Sequence, residues 1–522
     1  MVTCRTLRLR RETGPVQLRL SINIFEKTLG ALAPGWAVAR ARNRLTLQAY
    51  DAATPTRLHK ARREGRGADM AVMAAGKSLR EQARWLDENH DLVIGILDKL
   101  EERVIGARGI QIEPQPLDRH GRLHKAFAGT LSQLWAEWSV RPEVTGMFTR
   151  PEVERLLLRS ALRDGEVFTQ LVRGNIKGLV HSTPVSLSIE MLEADFVPLE
   201  LNTCVSDQRI RQGIVINTWG RPVGYRVYKN HPAEWLPGYG EMKTIPASGM
   251  LHLAMRKRLH QLRGVSLLHG VITRLADIKD YEESERVAAR IAASLGFFIR
   301  RGDATNYDPD RPGEERRNHY DISPGMIYDD LAPGEDLGMV APDRPNTHLN
   351  EYRNGQLRAV AAGTRGSYSS IARDYNGTYS AQRQELVESY EGYNVLQQWF
   401  VGQYSRPVYR AWISMLEVSG IEIPADIDRS SLFNAVYMGP VMPWIDPVKE
   451  STAWKQIVRG GAGTEAEWVR ARGQSPQEVK RQRMSETSFN RQHGLVFDSD
   501  AAHDKGATQN ADLPEKKQRD DD

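Results

Sequence analysis

Cysteine is almost absent: Cys4 and Cys204 are the only two among 522 residues. Two thiols so far apart offer neither a disulfide framework nor a metal knuckle, so they read as free thiols. No run of about 18 uninterrupted apolar residues exists, which excludes a membrane-spanning helix. The first twenty residues, MVTCRTLRLRRETGPVQLRL, lack the apolar centre of a secretion signal, and the chain reads as cytoplasmic in origin. A strong charge of either sign is also missing, because 71 Lys and Arg stand against 66 Asp and Glu. Net charge therefore gives no argument for nucleic acid.

The distribution of charge says more. Residues 1–66 hold 14 basic and 4 acidic side chains, in strings such as ARARNR (39–44) and HKARREGR (59–66). The remainder is slightly acidic. Such a leader suits contact with nucleic acid or an acidic protein, and equally a solvated arm.

Periodicity organises the rest into an α+β chain. In SLREQARWLDENHDLVIGILDKLEERVIG (78–106), Leu79, Ala83, Leu86, Ile94, Leu97, Leu100 and Val104 recur at helical spacing. Gly106 and Gly109 then break the pattern ahead of the alternating IQIEP, so a helix passes into a strand. Helices are expected at 131–138 and 149–166, the second opened by Thr149, Pro151 and Glu152 as a capping box. Residues 167–255 read as mostly β, with GRP (220–222) as a hairpin connection.

From 266 to 298 the pattern predicts one continuous helix of about 50 Å, striped by Leu268, Val271, Ile272, Leu275, Ile278, Val287, Ile291, Leu295 and Phe298. A charged, Pro- and Gly-rich tip (300–321) follows, then short β-like runs and a second helix at 347–363. Beyond the polar loop 364–382, Leu386, Tyr390, Tyr393 and Phe400 mark a helical face that continues through 408–418. Hydrophobicity fades from about 475.

Catalytic chemistry finds no anchor. AVMAAGKS (71–78) ends like a phosphate loop, but Ala71 replaces the required first glycine, and Ser78 reads instead as a helix cap. His120 and His124 lack a third ligand, and His252, His260 and His269 share no face. The carboxylates Asp277, Asp280, Glu282, Glu283 and Glu285 spread around a helix as a solvated or channel-facing surface. No GxSxG elbow or Cys–His pair is present. The expectation is a protein without catalytic, cofactor-binding or metal-binding residues.

The ordered phrases LGALAPGWAVARARNRL, LREQARWL, GARG, LRSALRDGEVF (158–168), GIVINTWGRPVGYRVY (213–228), LRGVSLLHGVI (262–272), ISPGMIYDDLAPGED (322–336), LRAVAAG, YNGTYSAQR and GPVMPWIDPVKE resemble the portal proteins of lambda-type tailed phages. The resemblance spans roughly residues 22–485. Two departures stand out: RLHQLRG replaces the usual Arg-Pro-Gly-Gln before the Arg-Gly junction, and Ala381 occupies a position more often serine.

The resemblance implies a ring of twelve identical subunits at one procapsid vertex, through which double-stranded DNA passes in packaging and ejection. It implies docking of the large terminase subunit, which holds the ATP-driven motor, and of head-completion or connector proteins. It also implies contact with the major capsid protein and a scaffold, with assembly in the host cytoplasm. Its fold is a wing, a long-helix stem, a clip, a tunnel loop and a C-terminal crown. Placed on this chain, it gives a flexible leader at 1–21, wing at 22–265, stem helices at 266–298 and 346–363 around a clip at 299–345, and a tunnel-loop region at 364–382. The wing returns at 383–450, followed by a crown or peripheral helices at 451–485 and a disordered tail at 486–522. Arg365, Arg373, Tyr375 and Lys279 become candidate DNA contacts, and Tyr368 and Tyr379 candidate packing residues of the loop. The nearest alternative is another capsid or procapsid structural protein with no DNA conduit.

Overall fold

The computed structural model describes residues 35, 38, 39, 63–205, 208–234, 240–293, 297–301, 335–339, 348–443, 446–495 and 497. The chain divides into two compact units, Met1–Gly67 and Ala68–Asp522. The first shows helical backbone at Gly35, Val38 and Ala39.

Two helices, α1 (Ala68–Asn89) and α2 (Asp91–Val104), meet at His90, whose backbone is extended. Ala83, Leu86, Leu97, Leu100 and Val104 are buried as their spacing requires, and Val93 and Ile96 join them. Helix α1 begins ten residues before Ser78, which corrects the reading of Ser78 as a cap. The run ADMAVMAAGK is rich in strong helix formers, and its Gly76 is tolerated at a close approach: a Cβ there would lie 3.3 Å from both Leu199 and Val72.

After the turn come β1 (Gln111–Pro114), α3 (Lys125–Trp138) and α4 (Arg150–Asp164). Glu152 accepts from the Thr149 N–H and hydroxyl, both at 2.7 Å, and Pro151 lies in the first turn. The α4 helix stops at Gly165, whose φ of +91° suits a residue without a Cβ.

The β region forms two antiparallel sheets. Strands β2 (Glu166–Arg173) and β3 (Leu187–Leu192) are followed by a meander of β4 (Thr203–Val205), β5 (Gln208–Arg211), β6 (Ile214–Ile216), β7 (Pro222–Tyr228) and β8 (Met242–Pro246), then by β9 (Met250–Ala254). The meander pairs in chain order, whereas β2 lies between β3 and β9, with Phe168 opposite both Leu192 and His252. A small core of Phe168, Ile214, Tyr225, Val227 and Ile245 joins the two sheets.

A 3-10 turn, Leu267–Gly270, precedes α5 (Ile272–Ala293), and β10 (Phe297–Arg301) pairs with β11 (Glu335–Met339). The expected 266–298 helix is thus shortened at both ends. The Ser266 hydroxyl accepts from Leu268 N–H and holds the opening turn, while Phe298 lies in a strand, where the aromatic, β-branched run FFI fits better than in a helix. At 1.5 Å per residue, the 22 residues of α5 span about 33 Å.

The chain then forms α6 (Leu349–Thr364), the short α7 (Tyr368–Ala372), α8 (Tyr379–Phe400) and α9 (Arg406–Val418), with a π-helical turn, Val401–Ser405, between the last two. Strand β12 (Ala435–Met438) pairs with β1, so the late chain returns to the early body. Three surface helices, α10 (Pro447–Arg459), α11 (Glu465–Ala471) and α12 (Pro476–Gln492), complete the described chain. Helix α12 runs through 486–492, which the sequence assigned to a disordered tail. The main core gathers α1 to α4, the roots of α5 and α6, α8 and α9 around Trp135, Trp138 and Trp412.

Candidate functional site

Two passes of the chain cross where α4 runs into β2 and where β9 leads toward α5. Gly165 and Gly264 make the crossing: a Cβ on Gly264 would stand 1.9 Å from the Gly165 carbonyl oxygen. Glu166, wholly buried, accepts from Arg263 Nε at 2.8 Å, the Gly264 N–H at 2.9 Å, His252 Nε2 at 2.9 Å and Arg80 at 3.2 Å. Arg263, also wholly buried, donates onward to the carbonyls of Gln212 and Ala194. Each charge therefore has a partner for most of its hydrogen-bonding capacity, the condition under which an ion pair survives burial.

Burial pushes the Glu166 carboxyl up, but the Arg263 guanidinium and His252 outweigh it and hold the group well below the usual carboxylate range. His252 is driven down to about 4, by burial first, with Glu166 opposing. The contacts agree with a neutral ring: Nε2–H donates to Glu166, and Nδ1 accepts from Arg256 at 3.1 Å. Neighbouring ion pairs tie α1 to α4, with Arg84 on Asp164 at 2.7 Å and Arg159 on Asp87 at 2.6 Å.

From this joint α5 and α6 run side by side. Leu275 and Ile278 of α5 and Leu357, Val360 and Ala361 of α6 are buried together in the main core. Gly363 permits the approach, since a Cβ there would meet Val271 at 2.5 Å. Higher up, Arg353 pairs with Glu282 at 2.6 Å, and Tyr281 meets Tyr352 edge-on at 5.0 Å. His90 donates to the Leu275 carbonyl at 3.1 Å, so the junction of α1 and α2 grips the root. Asp277, Asp280 and Glu283 face solvent, whereas Glu282 is half-buried and Glu285 buried.

Helix α6 ends at Arg365 and α7 at Arg373, both left-handed, with φ of +61° and +53°. Both side chains are exposed, and neither has an ion-pair partner among the described residues. Tyr375 is 58% exposed. Tyr368 is instead held inward: its hydroxyl donates to Asp374 at 3.1 Å, and Arg358 lies over its ring at 5.0 Å. Tyr379, at the start of α8, is exposed. The turn is pinned by Gln382, which donates to the Tyr375 carbonyl, and by Glu385, which accepts from Ser369 N–H at 3.0 Å.

Lys279 stands apart from this turn. Its ammonium donates to the Asn89 carbonyl at 2.7 Å and sits 4.6 Å above the Trp85 ring. It fastens α5 to α1, a contact that local spacing does not reveal.

Other chemical candidates lose their function in place. Gly76, Lys77 and Ser78 lie within α1, whose backbone donors are spent on its own turns. His124 caps α3 through Phe127 N–H and pairs with Asp426 at 3.2 Å. Ligand atoms of Glu193, Asp195 and His231 come within 4.8 Å of one another, but Arg84 already sits on this cluster, at 2.5 Å from Asp195 and 3.4 Å from Glu193.

Residues 54–397 match the family described as phage portal protein, lambda family. A probable portal protein of Halomonas phage phiHAP-1 is 26% identical over 462 residues, covering 85% of this chain and 87% of that protein. Portal protein B of Escherichia phage lambda is 21% identical over 325 residues, 56% of this chain and 61% of that one. A chain from the virion of a native gene transfer agent particle aligns over 78% of this chain and 99% of its own, at 14% identity and a TM-score of 0.45.

Proposed function

The chain belongs to the lambda family of phage portal proteins, and from that membership we propose that the exposed side chains of its 364–382 segment face the DNA. As a portal protein it forms an oligomeric ring at a capsid vertex of the virion, supplies the channel for double-stranded DNA and docks terminase. In our reading α5 and α6 are the stem, 299–345 is the clip, 364–382 is the tunnel loop, and 451–485, which takes in much of α10 to α12, forms the crown or peripheral helices. The body before α5, together with 383–450, is the wing. Twelve subunits, head-completion proteins, the major capsid protein and a scaffold complete the assembly, which takes place in the host cytoplasm.

The observation that carries this reading is a pair of exposed arginines on left-handed helix ends, Arg365 and Arg373, at the root of the helix pair, neither with an ion-pair partner among the described residues. Two cations on a short, pinned turn touch phosphates without reading bases, which is what passage of any sequence requires. Tyr375 adds an uncharged contact. Lys279, held in place by Asn89 and Trp85, is a further candidate DNA contact in this reading.

Arg365→Ala with Arg373→Ala should leave rings assembled, reduce DNA packaging or retention, and lower the salt slope of DNA binding by about one per lost phosphate contact. Unchanged packaging and retention in assembled particles would remove these residues from the channel. Negative-stain images with particle mass separate a conduit ring from a shell protein, which would form extended lattice contacts.

A further inference from the structure

Trp219 is the most exposed aromatic side chain among the described residues, at 92%. It sits at the tip of the β6–β7 hairpin, on a turn that is not loose. The Asn217 side-chain oxygen accepts from the Trp219 N–H at 3.0 Å and the Arg221 N–H at 2.9 Å, and Gly220 takes a φ of +77°. The Asn217 N–H closes the hairpin on the Arg221 carbonyl at 3.0 Å. An indole held in water by a rigid turn is a preorganised contact, because ordering it on binding costs little. Arg221 follows it and has no side-chain partner among the described residues.

The same chain carries a matching recess. Between α8, the end of β12 and the helices α10 and α11 lies a groove of about 510 Å³, walled by Val387, Tyr390, Pro440, Met442 and Trp454. An indole fits in a fraction of that volume. Glu391 lies on the groove wall, exposed and without a partner among the described residues. One turn further along α8, Val395 is 58% exposed. The projection grows from the sheet over the small core, whereas the recess opens beside the main core. A projection and a recess on different parts of one chain suit a head-to-tail contact between copies, which closes into a ring where the rotation between subunits allows it.

We propose that Trp219 of one subunit seats in the α8–β12 groove of its neighbour, with Arg221 meeting Glu391 there. This rests on the portal reading, which requires a ring, and assigns the contact that closes it. The pairing sets an aromatic anchor among the groove's apolar residues and a charge pair on its wall, which Glu450 and Arg470 also line, the anatomy of an interface hot spot.

The test uses the full chain with Cys4→Ser and Cys204→Ser, carrying Trp219→Cys and Val387→Cys together or singly, and a short bismaleimide linker. Assembled rings of the double variant should give a covalent ladder on denaturing gels, and each single variant none. Arg221→Glu or Glu391→Arg alone should raise the dissociation of diluted rings about tenfold, and the two together should restore it. Rings of intact mass that give no ladder, or a charge swap that fails to rescue, overturn the proposal and leave the portal reading standing. So does a Trp219→Ala ring of unchanged stability that fails only to enter procapsids, because the occupant is then a capsid protein. A wild-type chain that forms no ring under any condition fails the portal reading itself.

Discussion

Replacing Glu166 by Gln tests whether the crossing of Gly165 and Gly264 is held by its buried charge. Glu166 and Arg263 are both fully buried, and the carboxylate accepts from four donors: Arg263, His252, Arg80 and the Gly264 N–H. An amide presents an NH2 group to some of these donors and leaves Arg263 without a counter-ion, which should cost about 3–5 kcal/mol. Arg263→Met should cost less, because Glu166 keeps Arg80, His252 and the Gly264 N–H. The double variant should cost well below the sum, giving a coupling of about 2–3 kcal/mol, since a methionine beside a glutamine strands no charge. Urea unfolding of the four proteins near neutral pH, followed by far-UV circular dichroism, measures each corner of the cycle. A single-mutant cost under about 1 kcal/mol, or an additive double variant, would refute the claim that this pair holds the joint.

The same centre predicts acid sensitivity with a definite sign. His252 titrates at about 4 in the folded chain, driven down by burial, against 6.5 in the unfolded chain. The unfolded chain takes up a proton that the folded one refuses, so stability falls as pH drops from about 6.5 to 4, by about 3 kcal/mol in all. The lowered Glu166 carboxyl adds a loss in the same direction below its unfolded value of 4.5. His252→Gln should flatten the slope between pH 6.5 and 4.5, and an unchanged slope in unfolding midpoints against pH would sink the assignment. Backbone crowding is tested by Gly264→Ala, whose Cβ meets a carbonyl oxygen at 1.9 Å and should abolish soluble folded protein. Gly129→Ala in α3, with nothing within 4 Å, should instead stabilise by about 0.5–1 kcal/mol, both read from yield and thermal midpoint.

Much of the architecture is legible from periodicity. The α1, α2 and α4 helices, the β region and its 220–222 hairpin follow from local spacing and turn chemistry, because each is decided within a dozen residues. What escaped is decided at a distance. The 266–298 pattern reads as one helix because its first half is truly striped: Leu268, Val271, Ile272, Leu275 and Ile278 are all buried. The pairing of β10 with β11, more than thirty residues apart, is absent from any local window. The contacts that Lys279 makes within the subunit are hidden for the same reason, since its Asn89 and Trp85 partners lie about 190 positions away. The clip assigned to 299–345 lies almost wholly outside the described residues, as does the leader at 1–21.

Four of the phrases that carry the family likeness form structural joints or turns. LRDGEVF supplies Gly165 and Glu166, and LRG supplies Arg263 and Gly264, so two segments about a hundred residues apart form one charged crossing. GARG ends in Gly109, where a Cβ would lie 2.4 Å from Glu154, a buried carboxylate that pairs with Arg150 at 2.7 Å. GRP closes the turn that presents Trp219. None of these residues needs to touch DNA for its identity to matter. A conduit that admits any sequence reads no bases, so its lumen tolerates change wherever charge and width are kept. A crossing of two backbones tolerates almost none, because a single methyl group at Gly264 has nowhere to go. The exposed arginines that meet the DNA in our reading sit outside these joints, between LRAVAAG and YNGTYSAQR, where the backbone leaves room for exchange.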